Sequence, residues 1–350
     1  VKTLIIGPDS LTELVLVEAL MAQLYKRHQC DIDLLIPENL HPLTARFPKR
    51  GSIFVLPQSD SPLALTQACI KLGLSFRHQG YYQAINLQPQ LPYSFIPFIA
   101  RIARRTVSYP DKLRFLLHCS LANDRRYRAK NTYGRQLDHL LSLANEPASA
   151  LPEKVRPQLI SHDAERQVLL ARRQLEAGEK PLLIICPGVD GSASKHLPAS
   201  HFAEIAKEKI KKGWQVWLMG GGESAPMAAE IERVIEEEQG EGLSNLVGEL
   251  SLVESVDLIS LAGAVLGLDN GFMHMACALN RSVVALYGPT SPRYRPPVTT
   301  HFQVLTQGLG CNPCEEAVCP RALEVCLNYL RPALVLEALA KLPQPLEMSY

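Results

Sequence analysis

The chain has 350 residues, 47% of them hydrophobic, and a formal net charge of +1, which excludes a disordered or strongly charged protein and leaves ample core for two globular domains. No apolar run approaches bilayer-spanning length, and Val1 to Ile6 is too short and too strand-like for a signal segment, so a cytoplasmic protein is expected, with membrane contact at most peripheral. The charge is uneven: residues 1–150 hold 18 Lys/Arg against 11 Asp/Glu, and residues 151–350 hold 18 against 24, which makes the amino half the expected host of an anionic partner; no nucleic-acid partner is expected.

From the amino end, short apolar runs predict parallel strands near 2–6, 32–36, 52–56 and 83–87. The first is followed by a loop and a helix that carries Glu13 in its opening turn, where a carboxylate alone reads as a partner of the helix dipole. Asp31-Ile32-Asp33 has the outline of a metal-binding D-x-D but lies in a strand-like run, so it is assigned to structure. Arg101, Arg104 and Arg105, then Lys112, Arg114, Arg125, Arg126, Arg128 and Lys130, form a basic zone, most simply a solvated face. Asn145 to Gln158, rich in Pro and Ala, reads as a linker.

A second series of strands is predicted near 182–186, 214–219, 245–247, 262–268 and 282–287. Cys186-Pro187-Gly188 closes the first of these, and Gly191-Ser192-Ala193-Ser194 leads to Lys195, whose ammonium and neighbouring hydroxyls suit an anion. Trp214 to Gly220 runs into the glycine-rich turn Gly220-Gly221-Gly222-Glu223. After the strand near 262–268, Asp269-Asn270-Gly271 is turn chemistry before a helix over 272–279, so the amides of Asn270, Gly271 and Phe272 fall at a helix start that attracts phosphate. An Asp-Asn cap is the plainer reading of the same residues. Two such series predict two open parallel sheets with their strand carboxyl ends on one cleft, and no strand is followed by an intact G-x-G-x-x-G with a distant acid, which argues against a nicotinamide dehydrogenase. Nine cysteines without an export signal argue against a disulfide framework. Cys311, Cys314, Cys319 and Cys326 cluster at spacings that suit either a structural zinc site or buried thiols.

The stretch Leu266 to Pro292 resembles the sugar-nucleotide signature of the bacterial heptosyltransferases, glycosyltransferase family 9, worded D-[ST]-G-x-x-H-x-A-A-A-L and then Y-G-P-[ST]-x-P. The matching residues are Asp269, Gly271, His274, Ala276, Ala278, Leu279, Tyr287, Gly288, Pro289, Thr290 and Pro292, with Asn270 in place of the usual Ser or Thr. The opening VKTLIIGPDSLTELVLVEAL, the segment Ser194-Lys195-His196-Leu197-Pro198, the glycine-rich turn and Arg105-Thr106 extend the resemblance from Val1 to the cysteine cluster, closest to the heptosyltransferase II branch. Thr12-Glu13 departs from the family's Gly-Asp, and Val107 stands where Gly is usual.

The resemblance implies a GT-B glycosyltransferase: two Rossmann-like domains facing a central cleft, with an acceptor domain over 1–160, a nucleotide-sugar domain over 161–328 and a carboxyl helix and tail over 329–350 packing back toward the first domain. It implies inverting transfer of heptose from ADP-heptose to an anionic glycolipid, an inner-core lipopolysaccharide acceptor, with no cofactor required. Glu13 is then the base and Lys195 the diphosphate clamp, assisted by Ser192 and Ser194. Asp269 orients the sugar, Asn270, Gly271, Phe272 and His274 complete the donor motif, Glu223 takes the ribose and Leu250 lies against adenine. Arg101, Arg104 and Arg105 would hold the acceptor. A family paralogue with another donor or acceptor, or an inactive sugar-nucleotide-binding protein, is the alternative.

Overall fold

The computed structural model describes residues 2–49, 51–107, 136–144, 155–188, 197–236, 242–316, 318–319 and 325–343. The chain divides into two compact units, Val1–Pro157 and Gln158–Tyr350.

The first unit is built on a parallel sheet ordered β3-β2-β1-β4-β5, comprising β1 (Lys2–Ile6), β2 (Ile32–Ile36), β3 (Ile53–Val55), β4 (Tyr81–Asn86) and β5 (Arg104–Val107). The central strands are continuous apolar runs because both faces are covered, and Ile5 lies between Leu34 and Ile85 in register. Helix α1 (Leu11–His28) carries Glu13 in its first turn and Lys26, Arg27 and His28 in its last, matching both ends of the helix dipole, and stops at Gln29 in the left-handed region. Helix α2 (Pro62–Phe76) starts with Pro62 behind Ser61, whose hydroxyl accepts from the Ala64 amide. Helices α3 (Leu91–Ile99) and α4 (Gln136–Ser142) follow, and Phe76 stands edge-on to Phe54 and Tyr81 in the core. Asp33 is buried in β2, where it meets Lys2 at 2.8 Å and accepts from the Tyr81 hydroxyl and the Ser52 amide. Its carboxylate is thus engaged structurally.

The second unit has a parallel sheet ordered β11-β10-β9-β6-β7-β8. Its strands are β6 (Leu182–Cys186), β7 (Gln215–Leu218), β8 (Leu243–Asn245), β9 (Ala264–Leu268), β10 (Val283–Leu286) and β11 (Phe302–Leu305). Helices α5 (Asp163–Arg173), α6 (Ala199–Lys211), α7 (Ala225–Glu236), α8 (Leu252–Ile259) and α9 (Gly271–Ala278) accompany it. Helix α8 opens on a capping box, Ser251 accepting from the Glu254 amide and Glu254 from the Ser251 amide, so two otherwise orphaned donors are satisfied. After the short α10 (Val325–Asn328) comes α11 (Pro332–Ala340). Leu330, Val335, Ala338, Leu339 and Leu342 are built into the same core as Leu183, Phe202 and Leu286, so the apolar face of this segment is used within the second unit.

Candidate active site

The order of the second sheet puts a topological switch point between β6 and β9: from β6 the chain steps outward through β7 and β8, then returns to β9 and steps the other way. Loops leaving the two strands diverge there and open a crevice at their carboxyl ends. One loop begins with Pro187 and Gly188, the other with Asp269 and Asn270.

Asn270 joins the two. Its backbone is extended, its Oδ1 accepts from the Met273 amide at 2.9 Å, and its Nδ2 donates to the Gly188 carbonyl at 2.6 Å. One side chain therefore caps α9 and ties that helix to the loop after β6, a dual role open to a carboxamide because it both accepts and donates. The amides of Gly271 and Phe272, in the first turn of α9, lie ahead of the intrahelical hydrogen-bond ladder and supply donors at the positive end of the dipole. Capping thus belongs to Asn270, and Asp269 has another task. Asp269, 3% exposed, bonds through Oδ1 to His274 Nε2 at 3.0 Å, while its Oδ2 lies 3.6 Å from the Arg295 guanidinium. An ionised carboxylate only accepts, so the imidazole nitrogen facing it carries the proton. Tyr287 donates to the Arg295 carbonyl and is fully buried; burial first, and the Asp269 charge second, hold its phenol protonated well above the ordinary range.

The neighbouring loops continue this edge. A Cβ at Gly188 would lie 1.5 Å from the Ser224 hydroxyl oxygen, so the loop after β6 and the turn after β7 are in direct contact. Gly248, at φ +75, approaches Gly222 so closely that a Cβ there would lie 3.1 Å from its Cα. Exposed Glu223 and half-buried Leu250 belong to these two turns. Ser192, Ser194 and Lys195 lie outside the described residues.

The first sheet has its own switch point, between β1 and β4. Buried Gln88 donates to the Gly7 carbonyl at 2.7 Å and, through its amide nitrogen, to Asn86 Oδ1 at 3.0 Å, which fixes the loops after the two strands. Glu13, in the first turn of α1, accepts from Gln136 Nε2 at 2.7 Å. Arg101 is exposed at the end of α3 with φ +58, whereas Arg104 and Arg105 are half-buried in the edge strand β5. Adjacent residues of a strand point to opposite faces, so the three arginines are not one helical face. Arg105 is stacked over Phe98 and donates to the Ile102 carbonyl. The rest of the basic zone, 112–130, lies outside the described residues.

Cys311, Cys314, Cys319 and Cys326 are half-buried and form no disulfide among the described residues. Burial, and then Cys314, Cys319 and Cys311, push the Cys326 thiol up. Among the described residues, no group of three or more His, Cys, Asp or Glu is arranged to hold a metal ion. Sequence reasoning passed over Gln136, the bridging role of Gln88, and Arg295; each acts on a partner far away in sequence or outside any motif.

The family model described as glycosyltransferase family 9 (heptosyltransferase) matches residues 69–323. The lipooligosaccharide heptosyltransferase 2 of Haemophilus influenzae is 34% identical over 311 residues, covering 86% of this chain and 87% of the relative. The lipopolysaccharide heptosyltransferase 2 of Salmonella typhimurium is 31% identical over 97% of this chain and 98% of its own length. Among solved structures, the ADP-heptose lipopolysaccharide heptosyltransferase II of E. coli superposes with a TM-score of 0.84 at 29% identity, over 97% of this chain and 98% of that one.

Proposed function

The chain belongs to glycosyltransferase family 9, the heptosyltransferases, and from that premise we infer its reaction: transfer of heptose from ADP-heptose to an inner-core lipopolysaccharide acceptor, with inversion at the anomeric carbon. The enzyme is a glycosyltransferase of the GT-B fold that acts in lipopolysaccharide core biosynthesis. The observation that carries the donor assignment is the crevice between β6 and β9, where Asn270 holds the start of α9 against the Gly188 loop.

The amides of Asn270, Gly271 and Phe272, with Lys195, Ser192 and Ser194, take the diphosphate. Asp269 and His274 orient the sugar, Glu223 the ribose, and Leu250 adenine. A heptosyl-Kdo2-lipid A hydroxyl gives its proton to Glu13 as its oxygen attacks the anomeric carbon from the face opposite ADP. The bond to the β-phosphate oxygen breaks and its electron pair leaves with ADP, where the clamp stabilises the developing charge. Asn270 retains the capping role a Ser or Thr would fill, which supports an active site over a decayed one. Residues 61–107 hold Lys71, Arg77, Arg101, Arg104 and Arg105 and no Asp or Glu, and α2 exposes Leu63, Ile70 and Leu74. Basic and apolar surface together support acceptor steering and peripheral contact with an anionic inner leaflet. Among the described residues, no helix is long and apolar enough to cross a membrane.

The test is ADP release from ADP-heptose with and without a monoheptosylated Kdo-lipid A acceptor. Acceptor-dependent release is expected; tight donor binding without release would point to another acceptor or an inactive protein. Glu13→Gln is expected to cut transfer by about 10²–10⁴-fold with ADP binding intact, and Lys195→Ala by about 10²–10³-fold in a folded protein. Near-normal turnover by folded Lys195→Ala removes the clamp role.

A further inference from the structure

We propose that Gln136 is the positioning residue for the carboxylate of Glu13, an inference that rests on the reading of Glu13 as the base. Glu13 is the third residue of α1 and Gln136 the first residue of α4, and their side chains meet at 2.7 Å across 123 positions of sequence. The direction of this bond is informative. Gln136 turns its Nε2 to the carboxylate, while its own Oε1 is buried and has no hydrogen-bond partner among the described residues. Gln136 is only 5% exposed, so that unpaired oxygen carries a desolvation cost that an apolar residue of the same size would avoid. A purely structural site therefore has little use for glutamine here. A site that must hold a carboxylate ionised and in one orientation does, because an N–H donor favours the charged form and a flipped amide would set oxygen against oxygen.

The need for a restraint follows from the sequence itself. Glu13 follows Thr12 in the opening turn of α1, and a glutamate carries one methylene, and so one rotatable bond, more than an aspartate would at this place. A donor at the end of that longer arm removes the added freedom, so the proton acceptor presents one geometry to the incoming hydroxyl. Gln136 touches neither sugar nor phosphate in this scheme; it acts through Glu13.

Gln136→Leu and Gln136→Glu test this in the full-length enzyme. Gln136→Leu removes the donor and the unpaired oxygen together, so its melting temperature is expected to stay level or rise, while kcat falls about 10–100-fold. The KM for ADP-heptose is expected to be unchanged, and the acid limb of kcat/KM to move to higher pH, because the charged carboxylate has lost a hydrogen bond. Gln136→Glu keeps the shape and adds a like charge, so its acid limb is expected to move further in the same direction. A merely structural Gln136 would instead lower the melting temperature and leave the acid limb in place. Wild-type kcat with an unmoved acid limb in either folded variant overturns the proposal, and should Gln136→Leu fail to fold, the acid limb of Gln136→Glu decides alone. Glu13→Gln separates the two readings. If it keeps full transfer, the base assignment fails, and if it is inactive while Gln136→Leu is normal, only the positioning role fails.

Discussion

Lys209 lies on α6 with its ammonium 4.0 Å from the ring centroid of Trp214 and is only 6% exposed. Burial first, and repulsion from Lys212 second, bring its pKa from 10.5 down to about 8. In the pH interval between those values the unfolded chain binds more protons at this site than the folded one, so stability at this site rises with pH across the interval and is lowest below it. At neutral pH the buried charge is therefore a net cost, reduced in part by the Trp214 ring. Lys209→Met keeps the aliphatic stem over the indole and removes the charge. With roughly 1.4 kcal/mol per pKa unit, less a cation–π contribution of ~0.5–2 kcal/mol, the variant is expected to be about 1.5–3 kcal/mol more stable at pH 7. The gain should shrink toward pH 10. Urea unfolding of both proteins across this range checks it, and a pH-independent difference would show that packing, not charge, is what Lys209 contributes. The buried thiols of Cys186 and Cys277, pushed up to about 12, show the same physics with the opposite sign.

The turns at the carboxyl ends of β6 and β7 act as one element, and the contact between Gly188 and Ser224 is where they meet. A methyl group at 188 would lie 2.4 Å from Ser224 Cβ, a separation no flexible tip can relieve. Gly188→Ala is thus expected to cost about 1–3 kcal/mol of stability by overpacking. It is also expected to weaken ADP binding, because Asn270 hangs on the Gly188 carbonyl and α9 hangs on Asn270. Ser224→Gly in the same chain opens the space and should restore most of the binding, whereas additive losses in the double variant would mean that the two turns are independent. Elements of this kind were only partly legible in the sequence. The interior strands β1, β2, β6, β9 and β10 are covered on both faces, so their apolar runs declare them. β5 (RRTV) and β11 (FQVL) are edge strands with half-exposed, polar members, and their period is lost in the surrounding loops. Likewise the Asp269–Gly271 turn was readable from local chemistry. The division of labour within it was not, since the Asn270 bond to Gly188 and the Gln136 bond to Glu13 each span more than 80 residues.

At the level of the whole chain, the GT-B fold shared with the E. coli heptosyltransferase II structure, at a TM-score of 0.84, is divided electrically as well as structurally. The first 150 residues carry a net +7 and the remaining 200 a net −6, although the whole is nearly neutral. On the proposed reading, a donor diphosphate is taken by amides and one lysine through short-range contacts. On the same reading, a phosphorylated glycolipid would meet the basic half over a longer distance, where screening matters: the Debye length falls from about 10 Å at 0.1 M salt to about 3 Å at 1 M. Raising NaCl from about 0.05 to about 0.5 M is therefore expected to raise the acceptor KM several-fold and the ADP-heptose KM much less, with kcat nearly constant. Dephosphorylating the acceptor should flatten the acceptor response, because the charges being screened are then missing from the substrate. If the two KM values rise together, or if the dephosphorylated acceptor responds to salt as strongly as the intact one, the charge asymmetry does not steer the acceptor, and recognition must rest on the sugar hydroxyls around the switch point of the first sheet.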